Sequence, residues 1–291
     1  NRYNSDLDSG NIVIYFARNL HKEILHQRAN DLDYDISFES FWLNHKKINQ
    51  KNCTIKNVSI ATGLPRETTR RKIKDLVEKK ILKVVNKKIT WEPKENVKSD
   101  YINISNLHIT NLLNHIRTIC NLLNISFDKA IFKDEIFKNF SFYAYHYLKT
   151  HGLYLKMWQK RFKDLELLVI AQECIMMANK QFKNNKVKFQ DHFFLKKKFT
   201  VIEETLLSAT MISEITKIPR ATCIRKLTTL VNFKIIKKDN FTKKYSLNIK
   251  TFFNALDTKE ITKETFNLSG NFYLIIIKAL IRSQNRAKLK S

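Results

Sequence analysis

The stretch "TGLPRETTRRKIKDLVEKKIL", from Thr62 to Leu82, places a tight turn directly before an unusually basic helix. Gly63 suits the left-handed conformation that ends a helix, and Pro65 suits the first turn of the next helix, where no N–H donor is needed. Helical spacing then predicts one inward-facing stripe, made of Thr69, Ile73, Leu76 and Val77. The outward face carries Arg66, Glu67, Arg70, Arg71 and Lys74. A solvated surface helix does not need this density of one charge sign.

The residues on either side of this helix complete a local pattern. Upstream, "TIKNVSIAT" places apolar residues at helical spacing behind Thr54, a candidate N-cap. Downstream, "ILKVV" and "KITW" predict two short strands around Asn86 and Lys87. The range Thr54–Trp91 is therefore predicted to form a helix, a tight turn, a basic helix and a β-hairpin.

This order of elements resembles the winged helix-turn-helix of bacterial transcription regulators of the MarR, GntR and Crp kind. The phrase "IATGLPRETTRRKIKDLVEKKIL" carries the resemblance, with Gly63 at the turn and a closing L-x-x-K-x-I before the hairpin. Thr69 departs from the pattern, since the family usually has Val there. The resemblance implies that the second helix enters the DNA major groove and that the hairpin, or wing, contacts the backbone or the minor groove.

A second copy of the phrase, "KIPRATCIRKLTTLVNFKII", runs from Lys217 to Ile236. When Leu64–Leu82 is aligned with Ile218–Ile236, nine of 19 positions are identical. A chain rich in Lys and Ile would not keep the Pro-Arg corner and the apolar spacing together by chance. The sequence therefore contains the same unit twice.

The second copy departs from the first where the resemblance implies DNA contacts. Lys217 stands at the position of the turn glycine, Ile224 replaces Arg70, and Thr228 replaces Lys74. Two cations are thereby lost from the outward face of the second basic helix. We expect the two copies to bind DNA with unequal affinity.

Composition and repeats together predict the fold class. Only 4 Gly and 3 Pro argue against a sandwich, a barrel or a Gly-rich nucleotide-binding fold. We predict a mainly α fold with short β-hairpin wings, arranged as two tandem winged-helix domains joined by helices with pseudo-two-fold symmetry. The predicted ranges are 1–125 for the first repeat (motif 54–91), 126–159 for a helical connector, and 160–291 for the second repeat (motif 208–248) with a C-terminal helix.

Net charge points to the class of partner. The chain has 53 Lys and Arg residues against 27 Asp and Glu residues, a formal charge of +26. A polyanion is the natural partner of such a chain, through phosphate contacts and counterion release. A composition biased by an AT-rich genome is an alternative source of part of the lysine excess.

The basic helices and wings supply the candidate DNA contacts. Arg can bind guanine with two hydrogen bonds, Thr and Lys can bind phosphates, and a helix N-terminus attracts phosphate. In the first copy the candidates are Arg66, Thr68, Arg70, Arg71 and Lys74, with Lys87 and Lys88 in the wing. In the second copy they are Arg220, Thr222, Arg225 and Lys226, with Asn240, Lys243 and Lys244 in the wing. For any one of them a merely solvated side chain is the alternative.

Other chemistry finds little support in the sequence. The four cysteines are far apart and form no CxxC pair, so neither a zinc site nor a disulfide framework is expected. The histidines form no HExxH motif, and Walker, G-x-S-x-G and dinucleotide patterns are absent. No apolar run reaches membrane-spanning length. We expect no metal, no cofactor, no membrane association and no enzymatic activity. Core packing is the expected role of the aromatic residues in 137–147, with a ligand pocket or base stacking as the alternative; they are Phe137, Phe140, Phe142, Tyr143, Tyr145 and Tyr147.

The leading hypothesis is a cytoplasmic, nucleoid-bound, sequence-specific regulator of transcription that binds double-stranded DNA through two recognition helices of one chain. It would act as a monomeric pseudo-dimer or as a homodimer, with RNA polymerase as a second candidate partner. A plasmid-type replication initiator with tandem winged helices is one alternative. A nucleoid-architectural or RNA-polymerase-associated protein with little base readout is another.

Overall fold

The computed structural model describes residues 6–51, 53–85, 88–92, 98–184, 206–248, 251 and 258–289. These residues are mainly helical and form two small antiparallel hairpins, which confirms the predicted class at this level. The chain divides into two compact units. The larger unit contains the described residues up to Lys156 and from Thr265 onward, and the smaller one contains those from Met157 to Glu264.

The larger unit holds the first copy of the repeat. Its helices are α1 (Leu7–Asn30), α2 (Phe38–Asn44), a 3-10 turn (His45–Lys47), α3 (Ile55–Thr62), α4 (Arg66–Glu78), α5 (Lys98–Leu122) and α6 (Lys129–Lys138). Strands β1 (Leu82–Val85) and β2 (Lys88–Trp91) follow α4 and pair antiparallel, with Leu82 opposite Trp91. The predicted order of helix, turn, helix and hairpin is therefore present here.

The smaller unit holds the second copy in the same order. Its elements are α8 (Leu165–Asn184), α9 (Ala209–Thr216), α10 (Arg220–Asn232), β3 (Ile236–Lys238) and β4 (Tyr245–Leu247). Strands β3 and β4 pair antiparallel, with Ile236 opposite Leu247. Helices α7 (Phe140–Phe162) and α11 (Thr258–Lys288) each begin in one unit and end in the other. Most of the predicted connector, residues 126–156, belongs to the larger unit, as does the chain from Thr265 onward.

The first core cluster of the larger unit surrounds α1 and fixes the position of α4. Its most buried members include Ile12, Phe16, Leu20, Phe41, Val58, Leu76 and Trp91. Three residues of the predicted inward stripe, Thr69, Ile73 and Leu76, are at most 5% exposed. The side chain of Asn11 on α1 donates a hydrogen bond to the Thr62 carbonyl at 3.2 Å, so α1 also holds the end of α3. The outward face of α4 is thereby left to solvent.

The hairpin of the first copy is anchored at its base. Trp91, only 2% exposed, belongs to the same core cluster as Leu76. The Gln50 amide donates to the Trp91 carbonyl at 2.7 Å and accepts from the Trp91 N–H at 3.2 Å. Strand β2 is therefore held by the buried side chain of Trp91 and by the two hydrogen bonds between Gln50 and the Trp91 backbone.

A second core cluster of the larger unit joins α5, α6 and α11. Its fully buried members include Ile116, Phe132, Ile276 and Leu280. Beside it, α5, α6 and α7 line an open pocket of about 180 Å³ whose lining includes Phe140, Tyr143 and Tyr147. The aromatic residues of 137–147 thus contribute both to core packing, as predicted, and to a cavity wall. Among the described helices, none combines the length and the hydrophobicity needed to cross a bilayer.

Candidate nucleic-acid interface

The turn between α3 and α4 is fixed by a set of short-range hydrogen bonds. Gly63 adopts the left-handed conformation (φ 78°), and its N–H donates to the Ser59 carbonyl at 2.9 Å. The Ser59 hydroxyl donates to the Leu64 carbonyl at 2.7 Å, and the Thr62 hydroxyl donates to the Val58 carbonyl at 2.8 Å. These hydrogen bonds fix the backbone conformation of the turn between α3 and α4.

The second copy builds the same turn without a glycine. Lys217 is left-handed (φ 59°), and its N–H donates to the Ser213 carbonyl at 2.8 Å. The Ser213 hydroxyl donates to the Ile218 carbonyl at 2.6 Å, and the Thr216 hydroxyl donates to the Ile212 carbonyl at 2.7 Å. A non-glycine residue at positive φ is strained, and the surrounding hydrogen bonds offset that strain. Loss of the glycine therefore does not change the turn.

The basic helices begin and end in the same way in both copies. Each follows a proline N-cap, and each is followed by a left-handed lysine, Lys80 (φ 55°) or Lys234 (φ 58°). The buried Thr69, which departs from the family pattern, donates its hydroxyl to the Pro65 carbonyl at 3.0 Å. Its counterpart Cys223 is also buried. A polar side chain is therefore accommodated in the stripe because its only donor is satisfied.

The outward face of α4 presents the predicted cations together. Arg66, Arg70, Arg71 and Lys74 are exposed, and Thr68 is half-buried. Arg70 makes two hydrogen bonds to Glu67, with Nη2–Oε1 at 2.7 Å and Nε–Oε2 at 3.0 Å, and these hold the pKa of Glu67 below its usual range. Exposed pairs of this kind contribute little stability and exchange readily with another anion. The exposed cations of α4 can therefore bind phosphates or base edges while the helix stays folded.

The outward face of α10 carries fewer charges. Arg220 and Arg225 are exposed and Thr222 is half-buried, as in the first copy. The position equivalent to Arg70 is Ile224, which is 37% exposed. The Thr228 hydroxyl, at the position of Lys74, donates to the Ile224 carbonyl of its own helix at 3.0 Å. The outward faces of α4 and α10 thus carry the same arginine and threonine in their first turn, and they differ at the positions of Arg70 and Lys74.

One shared lysine has a role that the sequence did not reveal. Lys72 Nζ lies 2.7 Å from Asp6 Oδ2, and their side chains are only 18% and 27% exposed. Asp6 is the N-cap of α1, where its other oxygen accepts the Ser9 N–H at 2.7 Å. Burial alone would raise the pKa of Asp6, but the hydrogen bonds from Lys72 and Ser9 hold it below its usual range. The ion pair ties the basic helix to the start of α1.

The second copy repeats this tie. Lys226 pairs with Asp164, which directly precedes α8, and also lies 3.4 Å from Glu166. Asp164 accepts the N–H groups of Glu166 and Leu167 at 2.8 and 3.3 Å. The Lys226 side chain is only 13% exposed, so we leave it out of the proposed DNA contacts. The matching segments "DLD" at 6–8 and "DLE" at 164–166 were the available sequence signal.

Replacing Lys72 by Met is expected to lower the free energy of unfolding by about 1–2 kcal/mol, because Asp6 keeps its charge in a half-buried site. The pKa of Asp6 is lowered in the folded protein, so the pair stabilises the fold above the unfolded pKa. This stabilisation is lost as the pH falls through the folded pKa. Chemical denaturation across acidic pH measures both effects. The matched control is Lys74→Met, since Lys74 is 74% exposed. Equal stability of the two variants would contradict the role assigned to Lys72.

The hairpins carry the remaining predicted residues. Lys88 on β2 is exposed, and Lys87 lies outside the described residues. Asn240, Lys243 and Lys244 are exposed in the turn between β3 and β4. Each copy therefore gathers a basic helix and an adjacent hairpin within one unit.

Within the described part of the chain, no group of three or more His, Cys, Asp or Glu side chains could hold a metal ion. The four cysteines are buried free thiols. Comparisons of the chain with protein-family models, curated proteins and solved structures find no match. The exposed basic helix and the hairpin of each copy are therefore the features that indicate a function.

Proposed function

We propose that this protein is a sequence-specific regulator of transcription that binds double-stranded DNA through two tandem winged-helix units. The observation that carries the proposal is the repetition of one local design in both units. In each, a hydrogen-bonded turn leads through a proline into a basic helix, a buried stripe fixes that helix, and a hairpin follows. Each unit thereby presents one exposed basic helix next to a hairpin.

The basic helices are suited to the major groove in size and charge. Each has 13 residues and begins with an exposed arginine. A recognition helix meets base edges with its N-terminal residues, where Arg can bind guanine and the helix N-terminus favours phosphate. In α4 the next cations, Arg70 and Arg71, follow on the same exposed face. Such a helix can combine base readout with phosphate contacts.

Two units in one chain have a thermodynamic consequence. The binding of the first unit raises the effective concentration of the second at a neighbouring site, so overall affinity exceeds that of either unit. The dimerisation step that separate subunits require is then unnecessary. Because α4 and α10 differ in charge, the preferred DNA site is expected to be asymmetric.

The test is a selection of duplexes from a random pool with the full chain, followed by footprinting across a salt series. We expect a protected site whose affinity exceeds that of random duplex by about a thousandfold or more. The affinity should also fall steeply with salt, as counterion release requires. Equal affinity for selected and random duplexes would contradict the proposed regulator and favour an architectural role.

The unequal faces of α4 and α10 lead to a comparison of two matched variants. Arg71→Ala should weaken binding to the selected duplex by about tenfold or more, as expected for a groove-facing arginine. Arg225→Ala, at the equivalent position, should weaken it less, because its helix carries fewer neighbouring cations. Fluorescence anisotropy on labelled duplex measures both, with Lys129→Ala as a charge-matched control outside the two copies. Equal losses of affinity at the two positions would contradict unequal contributions of the two copies to DNA binding.

A further inference from the structure

The turn between β3 and β4 presents a bare aromatic ring to solvent. Phe241 is 95% exposed, more than any other large hydrophobic side chain among the described residues. Single exposed apolar residues are common on protein surfaces, so exposure alone assigns no role. The hydrogen bonds of its turn and the neighbouring lysines distinguish Phe241 from the other exposed apolar side chains.

The turn holds Phe241 in a fixed backbone position. The Asp239 carboxylate accepts the Phe241 N–H at 3.0 Å, and it also accepts the N–H and the hydroxyl of Thr242 at 2.6 and 2.8 Å. The Asp239 N–H donates to the Lys244 carbonyl at 2.8 Å, which closes the base of the turn. A residue at a loose loop tip would lose more conformational entropy on binding than one in this turn.

The ring is surrounded in sequence by cations. Lys238, Lys243 and Lys244 are all exposed, and Asp239 is the one carboxylate residue between Ile236 and Leu247. The hydrogen bonds from Thr242 hold the pKa of Asp239 below its usual range, and its Oδ1 accepts three hydrogen bonds within the turn. The outer surface of the turn therefore combines positive charge with one flat apolar group.

This combination is specific to the second copy. Between β1 and β2 the first copy has only Asn86 and Lys87, and the flanking sequence "LKVVNKKITW" holds no aromatic residue before Trp91. The second copy has lost the counterparts of Arg70 and Lys74 from its basic helix. The second copy thus combines a projecting ring in its hairpin with fewer cations on its basic helix.

We propose that Phe241 is a wedge that enters a base step of duplex DNA from the minor groove while the neighbouring lysines bind the flanking phosphates. The inference rests on the proposed DNA-binding function. Apolar side chains inserted in this way partly unstack a base step and bend the duplex. Pyrimidine–purine steps such as TA unstack most easily, so the wedge gives the second copy a preference based on deformability instead of hydrogen bonds.

The test uses the full chain and the selected duplex, with 2-aminopurine placed at successive positions and a donor–acceptor pair at the ends. The wild-type chain should raise 2-aminopurine fluorescence at one step and bend the duplex by about 20° or more. Phe241→Ala should abolish both signals and weaken binding about tenfold, and Phe241→Leu should retain most of each. Leu32→Ala, at a leucine that is 76% exposed elsewhere, is the matched control.

The outcomes separate the wedge from the proposed function. Unchanged fluorescence, bend and affinity in Phe241→Ala would overturn the wedge and leave DNA binding intact. If selection yields no preferred site, the regulator function fails, and the same comparison on a fixed duplex with a central TA step still decides on the wedge. Loss of self-association or of RNA polymerase binding in Phe241→Ala, with unchanged DNA binding, would assign the ring to a protein contact instead.

Discussion

Replacing Arg66 and Arg71 together by glutamate is expected to weaken binding to the selected duplex on the order of a thousandfold. Both side chains are exposed on α4, and neither forms a salt bridge with a described carboxylate. The variant removes two cations and places two anions against phosphate or base oxygens. Because each lost phosphate contact releases one fewer counterion, the salt dependence should also become shallower by about 2 in log–log slope.

The control for this variant keeps the same change in net charge. Lys129→Glu with Lys133→Glu reverses two exposed lysines on α6, outside both copies. This control should reduce affinity only through the long-range field, by less than about tenfold. Anisotropy titrations at several salt concentrations compare the two. If both double variants weaken binding equally, the position of the cations is irrelevant and the recognition role of α4 is wrong.

Replacing Trp91 by Ala is expected to lower the free energy of unfolding by about 3–5 kcal/mol, the range for a large aromatic side chain removed from a core. The ring is 2% exposed and belongs to the core cluster around α1. Its loss leaves a cavity directly behind the hairpin and next to the core that positions α4. Denaturant unfolding of the full chain, with hydrogen exchange to locate the loss, measures the effect.

A substitution in the paired strand provides the control for Trp91. Val84 on β1 is 55% exposed, so Val84→Ala should change stability by less than about 0.5 kcal/mol. Hydrogen exchange should show the loss in Trp91→Ala concentrated in α1, α4 and the hairpin. A loss below about 1 kcal/mol, or one confined to the smaller unit, would contradict the anchoring role of Trp91.

The sequence predicted the features that depend on neighbours along the chain. The stripe of Thr69, Ile73 and Leu76 follows from helical spacing, and the first hairpin follows from two short apolar runs around Asn86 and Lys87. The second hairpin follows from the repeat. A left-handed turn residue is predicted only at Gly63, because glycine favours that conformation. In the second copy the hydroxyl groups of Ser213 and Thr216 hold the same turn with Lys217 in place of glycine. These two residues lie at the same distance before the aligned segment as Ser59 and Thr62 do in the first copy.

Features that depend on distant partners were not predictable in the same way. Asp6 lies 66 residues before Lys72, and nothing in the spacing along one helix indicates such a pair. The sequence therefore predicts that Lys226 contacts DNA, whereas in the structure its ammonium group pairs with the carboxylates of Asp164 and Glu166. Likewise, α11 follows the second copy in sequence but packs its later part, including Ile276, in the larger unit. Periodicity identifies a buried face without identifying what covers it.

The division of the chain has a consequence for its origin. The smaller unit is one continuous segment, whereas the larger unit is completed only by residues after it. A head-to-tail gene duplication alone would give two self-contained halves, which is not the division that this chain has. Truncation after Lys156 would remove Ile276 and Leu280 from the second core cluster of the larger unit, whereas the first cluster, around α1, would keep all its buried members. The larger unit is therefore incomplete without residues that follow the smaller unit in the chain.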